Sequence, residues 1–393
     1  MIGPNHRGTR MRLTLAMMLM ALPVQAETLS QEIAGTGLAA TETRLAALPT
    51  RTDAETFTLG GVQFLRAIEG TFQDRYAMGL TDRTGMLPLL RLPLPDNPTP
   101  TPFTPPAITA LFAKAATNLA AAKTTLAAIP ATSDFAVEIA LDDLWFDIDR
   151  TGTRSPGEGI ADLVATLQPT TIRFDVADAA WTAAYADLLG AICAMVQAYD
   201  PTAPIARVLQ ARTAMEQFGP LTPDPILGSA MPLDAVDLVA MVLDTLNQTP
   251  DAAQMARAKQ HLRDMVALNR EFWTRVAAET DNTREWLPND AQHSALGLPV
   301  PPGTGTAWLA VLDDLDALLT GQKLVPYWRV SGSGGVDISA MFDDPRPIEL
   351  IGWVQGWAAL PYLKQGPLVS TDSLNAFDTL MSGQTMLFAL YLN

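Results

Sequence analysis

The stretch DIDRTGTRSPGE, residues 147–158, combines oxygen-bearing side chains and a glycine at spacings that require one particular local structure. The oxygen-bearing residues stand at positions 1, 3, 5, 7, 9 and 12 and are Asp147, Asp149, Thr151, Thr153, Ser155 and Glu158. Gly152 stands at position 6, where the lack of a Cβ lets the chain turn sharply. Because a hard cation takes six to eight oxygen ligands, a short loop surrounds it only through such a turn. The stretch therefore predicts a cation-binding loop.

This spacing is that of an EF-hand calcium loop. The side chains at positions 1, 3 and 5 are predicted to bind calcium directly, Thr153 through its carbonyl and Ser155 through a water. Glu158 is predicted to close the site with both carboxylate oxygens. With three formally negative ligands and two nearby arginines, we expect a dissociation constant on the order of 10⁻⁴–10⁻³ M. The alternative is a solvated acidic turn in which Arg150 and Arg154 are the local partners.

The surroundings of the loop depart from those of a paired EF-hand. Position 8, usually aliphatic and paired with a second loop, is Arg154, and no second loop of this pattern occurs in the sequence. The preceding segment, residues 135–146, alternates like a strand and does not have the period of a helix. The sequence therefore predicts a lone calcium loop between a strand and a helix.

The rest of the chain predicts a mainly α, multi-helix globular protein with a few short strands flanking the loop. Hydrophobic residues make up 48% of the chain and charged residues only 17%, which is typical of a globular protein. Apolar residues recur at helical spacing over most of its length. Asp178 and Asp251 are predicted to be N-caps. Pro347 is predicted to open a helix in which Gly352 and Gly356 allow another helix to approach closely.

The domain organisation is predicted from the N-terminus and from a proline-rich segment. Residues 1–26 combine basic residues, an apolar run and a small-residue cleavage site after Ala26, which predicts a signal peptide and a periplasmic location. Residues 27–84 are predicted to be an N-terminal helical part. Residues 85–106 are predicted to be a proline-rich connector. Residues 107–393 are predicted to be the main helical domain, which contains the acidic loop.

The charge of the chain restricts its partners. Removing three arginines with the signal peptide leaves 23 basic against 42 acidic residues, a net charge of −19. Such a surface repels phosphate backbones and anionic lipids, so neither nucleic acid nor a membrane surface is an expected partner. No membrane span is predicted, because the apolar N-terminal run is too short to be one and has no stop-transfer partner. A protein or glycan partner is left open.

The sequence carries no recognisable catalytic motif. His261 and His293 are far apart in the predicted mature chain, and no GxSxG, P-loop, GxGxxG before a helix or CxxC occurs. His261 is predicted to lie on a solvated helix face, and Cys193 to be a buried, inert thiol. A structural or binding role is therefore favoured over catalysis.

The alternative is a periplasmic hydrolase of a glycan or peptide-like polymer that uses carboxylates as acid and base. It depends on acidic residues near tryptophans such as Trp286 and Trp308, although tryptophans at helical spacing are more often core residues. The cluster consists of the acidic Glu279, Asp281 and Glu285 together with Asn282. It could alternatively form a second cation site, supply outer ligands to the loop, or be a solvated helix end. We also expect Asp281, Asn282 or Glu285 to lie within one ligand or water shell of the loop at 147–158.

Several segments together resemble a family of exported bacterial proteins to which no activity is assigned. They are the acidic loop, DAAWTAAYADLLGAI (178–192), ETDNTREWLPN (279–289), LVPYWRV (324–330) and RPIELIGWVQGWAALPYL (346–363). The resemblance covers most of the chain after Phe135 and implies neither catalytic residues nor a substrate. The sequence thus predicts a soluble periplasmic calcium-binding protein of structural or binding type.

Overall fold

The computed structural model of the chain describes residues 28–80, 92, 94–163, 168–219, 233–298 and 300–383. Over these ranges the chain forms twelve α-helices, five short strands and two short 3₁₀ segments, so the predicted mainly α fold is confirmed. The predicted signal peptide, most of the first half of the predicted connector and the C-terminal residues 384–393 lie outside the described residues.

The helices are numbered in their order along the chain. They are α1 (Leu29–Ala46), α2 (Asp53–Met78), α3 (Pro106–Leu126), α4 (Ile160–Leu163), α5 (Val176–Tyr199), α6 (Thr202–Glu216), α7 (Leu233–Leu246), α8 (Ala252–Val276), α9 (Thr304–Leu319), α10 (Ile338–Asp343), α11 (Leu350–Gln355) and α12 (Asp372–Leu380). The strands are β1 (Val137–Ala140), β2 (Thr171–Phe174), β3 (Val325–Pro326), β4 (Gly334–Val336) and β5 (Leu363–Gln365). The 3₁₀ segments are Leu141–Asp143 and Leu360–Tyr362.

Helix α5 lies at the centre of the fold and packs against α3 and α8. Most of its buried positions are alanines or other small residues, which lets neighbouring helices approach closely. Within the described residues, α5 is the one helix long and apolar enough to cross a membrane by length and composition. In its most apolar window, 67% of the residues are buried inside the protein, and a helix in the core of a globular protein has the same properties.

Two antiparallel strands hold the acidic loop against the N-terminal helices. β1 pairs with β2, with Val137 opposite Phe174, so the strands lie on either side of the loop in the sequence. One apolar core joins residues of α1 and α2, such as Ile33 and Phe57, to residues of these strands, such as Ile139. The helices before and after the predicted connector therefore share a core. The division into an N-terminal helical part (27–84) and a main domain (107–393) stays a prediction.

The predicted helix starts are confirmed at one position and wrong at another. Asp251 caps α8 by accepting a hydrogen bond from Gln254 N at 2.8 Å, as predicted. Asp175, rather than Asp178, caps α5: its side chain accepts from Ala177 N, while Asp178 accepts from Asp175 N at 2.9 Å. Two carboxylates three residues apart thus form a reciprocal capping box.

The prediction that a helix opened by Pro347 includes Gly356 is wrong, because α11 begins at Leu350 and ends at Gln355. Gly356 adopts a left-handed conformation with φ +116° and stops the helix. The Trp357 indole then folds back over Gly352, where a Cβ would lie 2.5 Å from the ring. Gly352 therefore makes room for the indole of Trp357, and another helix does not occupy this space.

Candidate metal centre

The acidic loop at 147–158 is closed at its base by backbone pairing of its own two ends. Phe146 N donates to Glu158 O at 2.9 Å, and Ile160 N donates to Leu144 O at 3.1 Å. Trp145 and Gly159 form an antiparallel bridge between these two bonds. In a paired EF-hand a second loop provides such support. Here the chain provides it by folding back on itself.

The structure brings three of the predicted ligands together. One oxygen each of Asp147, Asp149 and Glu158 lies within 4.8 Å of the others. Because calcium binds oxygens at about 2.3–2.6 Å, two ligands of one ion are at most about 5 Å apart. The three carboxylates therefore fit around a single calcium ion.

The turn of the loop follows the prediction made from Gly152. This glycine has φ +73°, and its N–H donates to both carboxylate oxygens of Asp147 at 3.1 Å. Thr151 N donates to Asp149 Oδ1 at 3.0 Å. The backbone of the turn thus holds two of the carboxylates in place by hydrogen bonds.

The remaining predicted ligands make hydrogen bonds within the loop. The Thr151 hydroxyl donates to Thr153 O at 3.1 Å, and the Ser155 hydroxyl donates to Asp149 Oδ2 at 3.4 Å. These contacts keep their oxygens close to the carboxylates. Direct coordination by the Thr151 hydroxyl and the Thr153 carbonyl stays a prediction, as does a water held by Ser155.

Glu158 is buried and connects the two sides of the loop. Its Oε1 accepts from Ile148 N at 2.7 Å and from Asp149 N at 3.3 Å, and its Oε2 accepts from Ser155 N at 2.7 Å. An ionised carboxylate has about four acceptor positions, so these three bonds leave room for a cation. Glu158 therefore has a structural role that does not depend on an ion.

Helix α2 supports the loop from below. Glu69, which is fully buried, accepts from Asp147 N at 2.8 Å, and Gln73 donates to Asp147 O at 2.7 Å. Burial raises the pKa of the Glu69 carboxyl, while the adjacent Arg66 opposes the shift. The backbone of the first predicted ligand is therefore anchored on both sides by one helix.

The two arginines of the loop have partners outside the carboxylate group. Arg150 lies 2.5 Å from Asp74 of α2, and Arg154 donates to the Asp142 carbonyl at 2.8 Å. The alternative in which these arginines neutralise the loop carboxylates is therefore not supported by their contacts.

The second acidic segment, residues 279–285, has a different set of partners. Asp281 pairs with Arg173 at 3.4 Å, Glu285 accepts from Thr283 N at 2.6 Å, and Asn282 accepts from His293 N at 2.8 Å. The prediction that this segment joins the loop gains no support from these contacts. Within the described chain, the acidic residues close enough to share one cation are those of the loop.

The second acidic segment is nevertheless electrostatically unusual. Burial raises the pKa of Glu279 to about 7, Gln292 opposes the shift by donating to the carboxylate, and neighbouring carboxylates add to it. Burial also raises the pKa of Glu285 and, more strongly, that of Asp178. The alternative of a solvated helix end is therefore wrong for Glu285, which is buried, whereas Asp281 and Asn282 are exposed as that alternative requires.

Glu279→Gln is expected to change the pH dependence of stability. Because the folded pKa of Glu279 is above its ordinary value, its contribution to stability is present below about pH 4.5 and is lost as pH rises through about 7. The glutamine variant has no such titration. Its free energy of unfolding is therefore expected to rise relative to that of the wild type by on the order of 1 kcal/mol between pH 4.5 and 8, after allowance for solvent screening. Urea unfolding at both pH values measures it. If the difference in unfolding free energy between the two proteins were the same at both pH values, the raised pKa of Glu279 would be contradicted.

The tryptophans do not form the platform that the hydrolase alternative requires. Trp308 is buried and donates to Asn269 Oδ1 at 3.2 Å, and Trp286 packs against Phe174 and Trp181. Both rings pack in the apolar core, Trp308 as a buried member and Trp286 as a partly buried neighbour. The most exposed tryptophan among the described residues is Trp328, whose ring lies under Arg329.

A buried charge network at α5 was not predicted from the sequence. Asp187 is fully buried and lies 2.8 Å from Lys123 Nζ and 2.7 Å from His261 Nδ1. Lys123 also contacts Asp264 at 2.7 Å. The expectation that His261 lies on a solvated face is therefore wrong: its ring lies over Gly190 of α5 and contacts a buried carboxylate. Cys193 is buried as predicted, and burial raises its pKa to about 11.

Comparison with known proteins adds no relative to this description. No family model, curated protein or solved structure matches the chain. The resemblance to a family of exported bacterial proteins stays a prediction. The function is therefore argued from the geometry of the loop.

Proposed function

We propose that the chain is a soluble periplasmic calcium-binding protein of structural or binding type, in which the ion orders the loop at 147–158. The observation that carries the proposal is the placement of Asp147, Asp149 and Glu158 within 4.8 Å around a glycine turn. Three carboxylates at this distance repel one another unless a cation lies between them. Calcium suits the site because all of the surrounding donors are oxygens.

The ion would bind residues from both ends of the loop, which are attached to different parts of the fold. Asp147 is anchored on α2 through Glu69 and Gln73, and Glu158 leads directly into α4. A cation held by both ends of the loop would stabilise the attachment of the β1–β2 pair to the N-terminal helices. Because the ion binds the folded loop, protein stability would rise with free calcium.

Export to the periplasm is part of the proposal and is supported by the composition of residues 1–26. Free calcium outside the cytoplasm reaches the range in which a weak loop is occupied. A protein or glycan partner is compatible with the net charge of the chain, and recovery of complexes from periplasmic extracts would identify it.

Asp147→Asn is expected to remove most of the stabilisation by calcium. The amide retains an oxygen that accepts from Gly152 N, so the turn is preserved while one charged ligand is lost. For the wild type at 10 mM calcium, a dissociation constant on the order of 0.5 mM predicts roughly 1–2 kcal/mol of stabilisation over chelator. Thermal unfolding in calcium and in chelator measures both proteins.

Asp142→Asn is the matched control for this experiment. Asp142 lies close to the loop in sequence, is exposed, and is not one of the three grouped carboxylates. Its replacement removes the same charge and should leave the calcium shift intact. An unchanged midpoint for the wild type on adding calcium, or equal losses in the two variants, would reject the calcium site.

A further inference from the structure

Helix α11 and the segments beside it expose a group of large apolar side chains. Six of them are at least half exposed, and Ile351, at 82%, is the most exposed. Single exposed apolar residues are common on protein surfaces, whereas a contiguous apolar patch marks an interaction site. We call this group the α11 surface; it consists of Trp328, Leu350, Ile351, Val354, Trp357 and Leu360.

Arg329 connects Trp328 to the end of α11. The Arg329 guanidinium lies over the Trp328 ring, 4.9 Å from its centre, and Nη1 donates to Val354 O at 3.2 Å. The preceding residue, Tyr327, donates its hydroxyl to the Trp353 carbonyl. These contacts place Trp328 beside the C-terminal end of α11, so the exposed side chains belong to one continuous surface.

The other side of α11 is packed against the protein. Gly352 is buried beneath the Trp357 indole, and Trp353 packs on the rings of the buried Tyr327 and Tyr362. A helix at the surface of a globular protein normally carries polar residues on its outer side, and a helix that is apolar all round is normally buried. The α11 surface is therefore expected to be covered by another molecule.

Two opposite charges stand at the two ends of α11. Glu349 is its N-cap residue, and its side chain makes no capping hydrogen bond. Arg329 lies at the C-terminal end, where its Cδ is 3.5 Å from the Cβ position of Gly356. Among the described residues, neither Glu349 nor Arg329 takes part in an ion pair. The two charges are separated by a helix of six residues, which is about 9 Å long.

We propose that the α11 surface is the contact of a homodimer in which α11 packs antiparallel to α11 of a second copy of this chain. In a two-fold interface the same surface serves both chains, so each contact between two different residues occurs twice. Antiparallel packing brings Arg329 of one protomer to Glu349 of its partner, and the reverse. The surface is thus complementary to itself in both charge and polarity, which is the reason for choosing a second copy as its occupant.

The composition of the α11 surface suits an interface between proteins. Stable interfaces bury about 800 Å² on each partner and have an apolar centre, rich in aromatic residues, with a polar rim. A buried tryptophan contributes about 150–250 Å² of this area. Trp328, Trp357 and the four aliphatic side chains supply the apolar centre, and the charges at the ends of α11 supply part of the rim.

The acidic net charge of the chain does not prevent this contact. At an ionic strength of about 0.15 M, charges more than about 8 Å apart are largely screened. Near α11 in the sequence, Arg346 pairs with Asp344 at 2.8 Å, so this pair adds no net charge. The α11 surface is therefore locally balanced in charge.

Ile351→Asp tests the apolar centre of the dimer. Sedimentation velocity of the full chain in chelator, at about 1–100 µM, measures self-association without the calcium site. The wild type is expected to form dimers in this range. The variant is expected to dimerise about a hundredfold more weakly or less, because an unpaired carboxylate would be buried in the interface. Ile351 is exposed in the single chain, so circular dichroism should show an unchanged fold.

Phe218→Asp is the matched control, because Phe218 is 93% exposed but lies elsewhere. It follows the end of α6, which is held at the start of α7 by the pair of Arg212 with Asp234. The segment before α11 instead meets the end of α7, where Ile348 N donates to Leu246 O at 2.7 Å. The control variant is expected to dimerise like the wild type.

Reversing the two charges tests the antiparallel arrangement. Arg329→Glu or Glu349→Arg alone places like charges together at both ends of the interface and is expected to weaken the dimer about tenfold. The double variant restores two opposite pairs and is expected to regain most of the affinity. Arg257→Glu, at an exposed position of α8, makes the same change in net charge as Arg329→Glu and should have less than about a twofold effect.

Three results would overturn the proposal. A wild type that stays monomeric at the highest concentration would show that a second copy does not cover the α11 surface. Equal loss of dimer in Ile351→Asp and Phe218→Asp would place the interface elsewhere. A double charge variant no stronger than either single variant would exclude the contact between Arg329 and Glu349.

Discussion

Replacing Glu158 with alanine is expected to destabilise the protein by about 2–4 kcal/mol in chelator, and by roughly 1–2 kcal/mol more in calcium, where the variant also loses the stabilisation by the ion. The carboxylate is buried and accepts from the backbone N–H groups of Ile148, Asp149 and Ser155. A buried donor that loses its acceptor costs about 1–3 kcal/mol. Urea unfolding in the two solutions measures the loss. It separates the hydrogen bonding by Glu158 from its predicted role as a calcium ligand.

Glu158→Gln is the graded control for this prediction. The amide oxygen can still accept from Ile148 N and Asp149 N, while the amide NH₂ faces the N–H of Ser155, so one bond is lost. Its loss of stability should be smaller than that of the alanine variant. An alanine variant as stable as wild type in chelator would show that the base of the loop does not depend on these bonds.

The turn of the acidic loop could be predicted because it is set by local spacing. Six oxygen-bearing residues and Gly152 stand within twelve positions, and the structure brings three of the carboxylates together. The cap at Asp251 was predictable for the same reason, since an N-cap acts on N–H groups two or three residues away. The choice between Asp175 and Asp178 was not, because both carboxylates occupy the two positions of one capping box.

The support beneath the loop could not be predicted from spacing, because it comes from a helix about 75 residues earlier. We expected the acidic segment at 279–285 to hold the loop, whereas Glu69 and Gln73 of α2 make those contacts. A signal was present: these two polar residues, four apart, adjoin the apolar stripe at Ile68 and Phe72. A buried glutamate needs a partner, but the sequence does not say which segment supplies it.

The charge network around Asp187 was missed for a related reason. Its members lie on three helices, α3, α5 and α8, and their contact depends on how these helices pack. Residues on a polar helix face usually face solvent, and His261, which lies beside Arg257 and Arg263 in the sequence, is predicted to do the same. The alanine-rich surface of α5 lets the neighbouring helices come close enough to enclose the carboxylate.

Lys123→Met is expected to destabilise the protein by about 3 kcal/mol. Burial lowers the pKa of Lys123, but hydrogen bonds to Asp187 and Asp264 outweigh this effect and leave the pKa raised. The substitution leaves Asp187 fully buried, with His261 as its remaining side-chain partner. An uncompensated buried carboxylate is strongly destabilising, whereas methionine nearly preserves the volume of the lysine stem. Urea unfolding at pH 8 measures the effect.

Lys114→Met on the same helix is the matched control. Lys114 pairs with Asp74 at 3.4 Å and is about half exposed, so its loss should cost less than about 1 kcal/mol. The double variant Lys123→Met with Asp187→Leu removes the carboxylate along with its partner, and it should be more stable than Lys123→Met alone. Equal costs for the two lysines would contradict the buried pair. A double variant less stable than the single would show that Asp187 stabilises the fold through His261 instead.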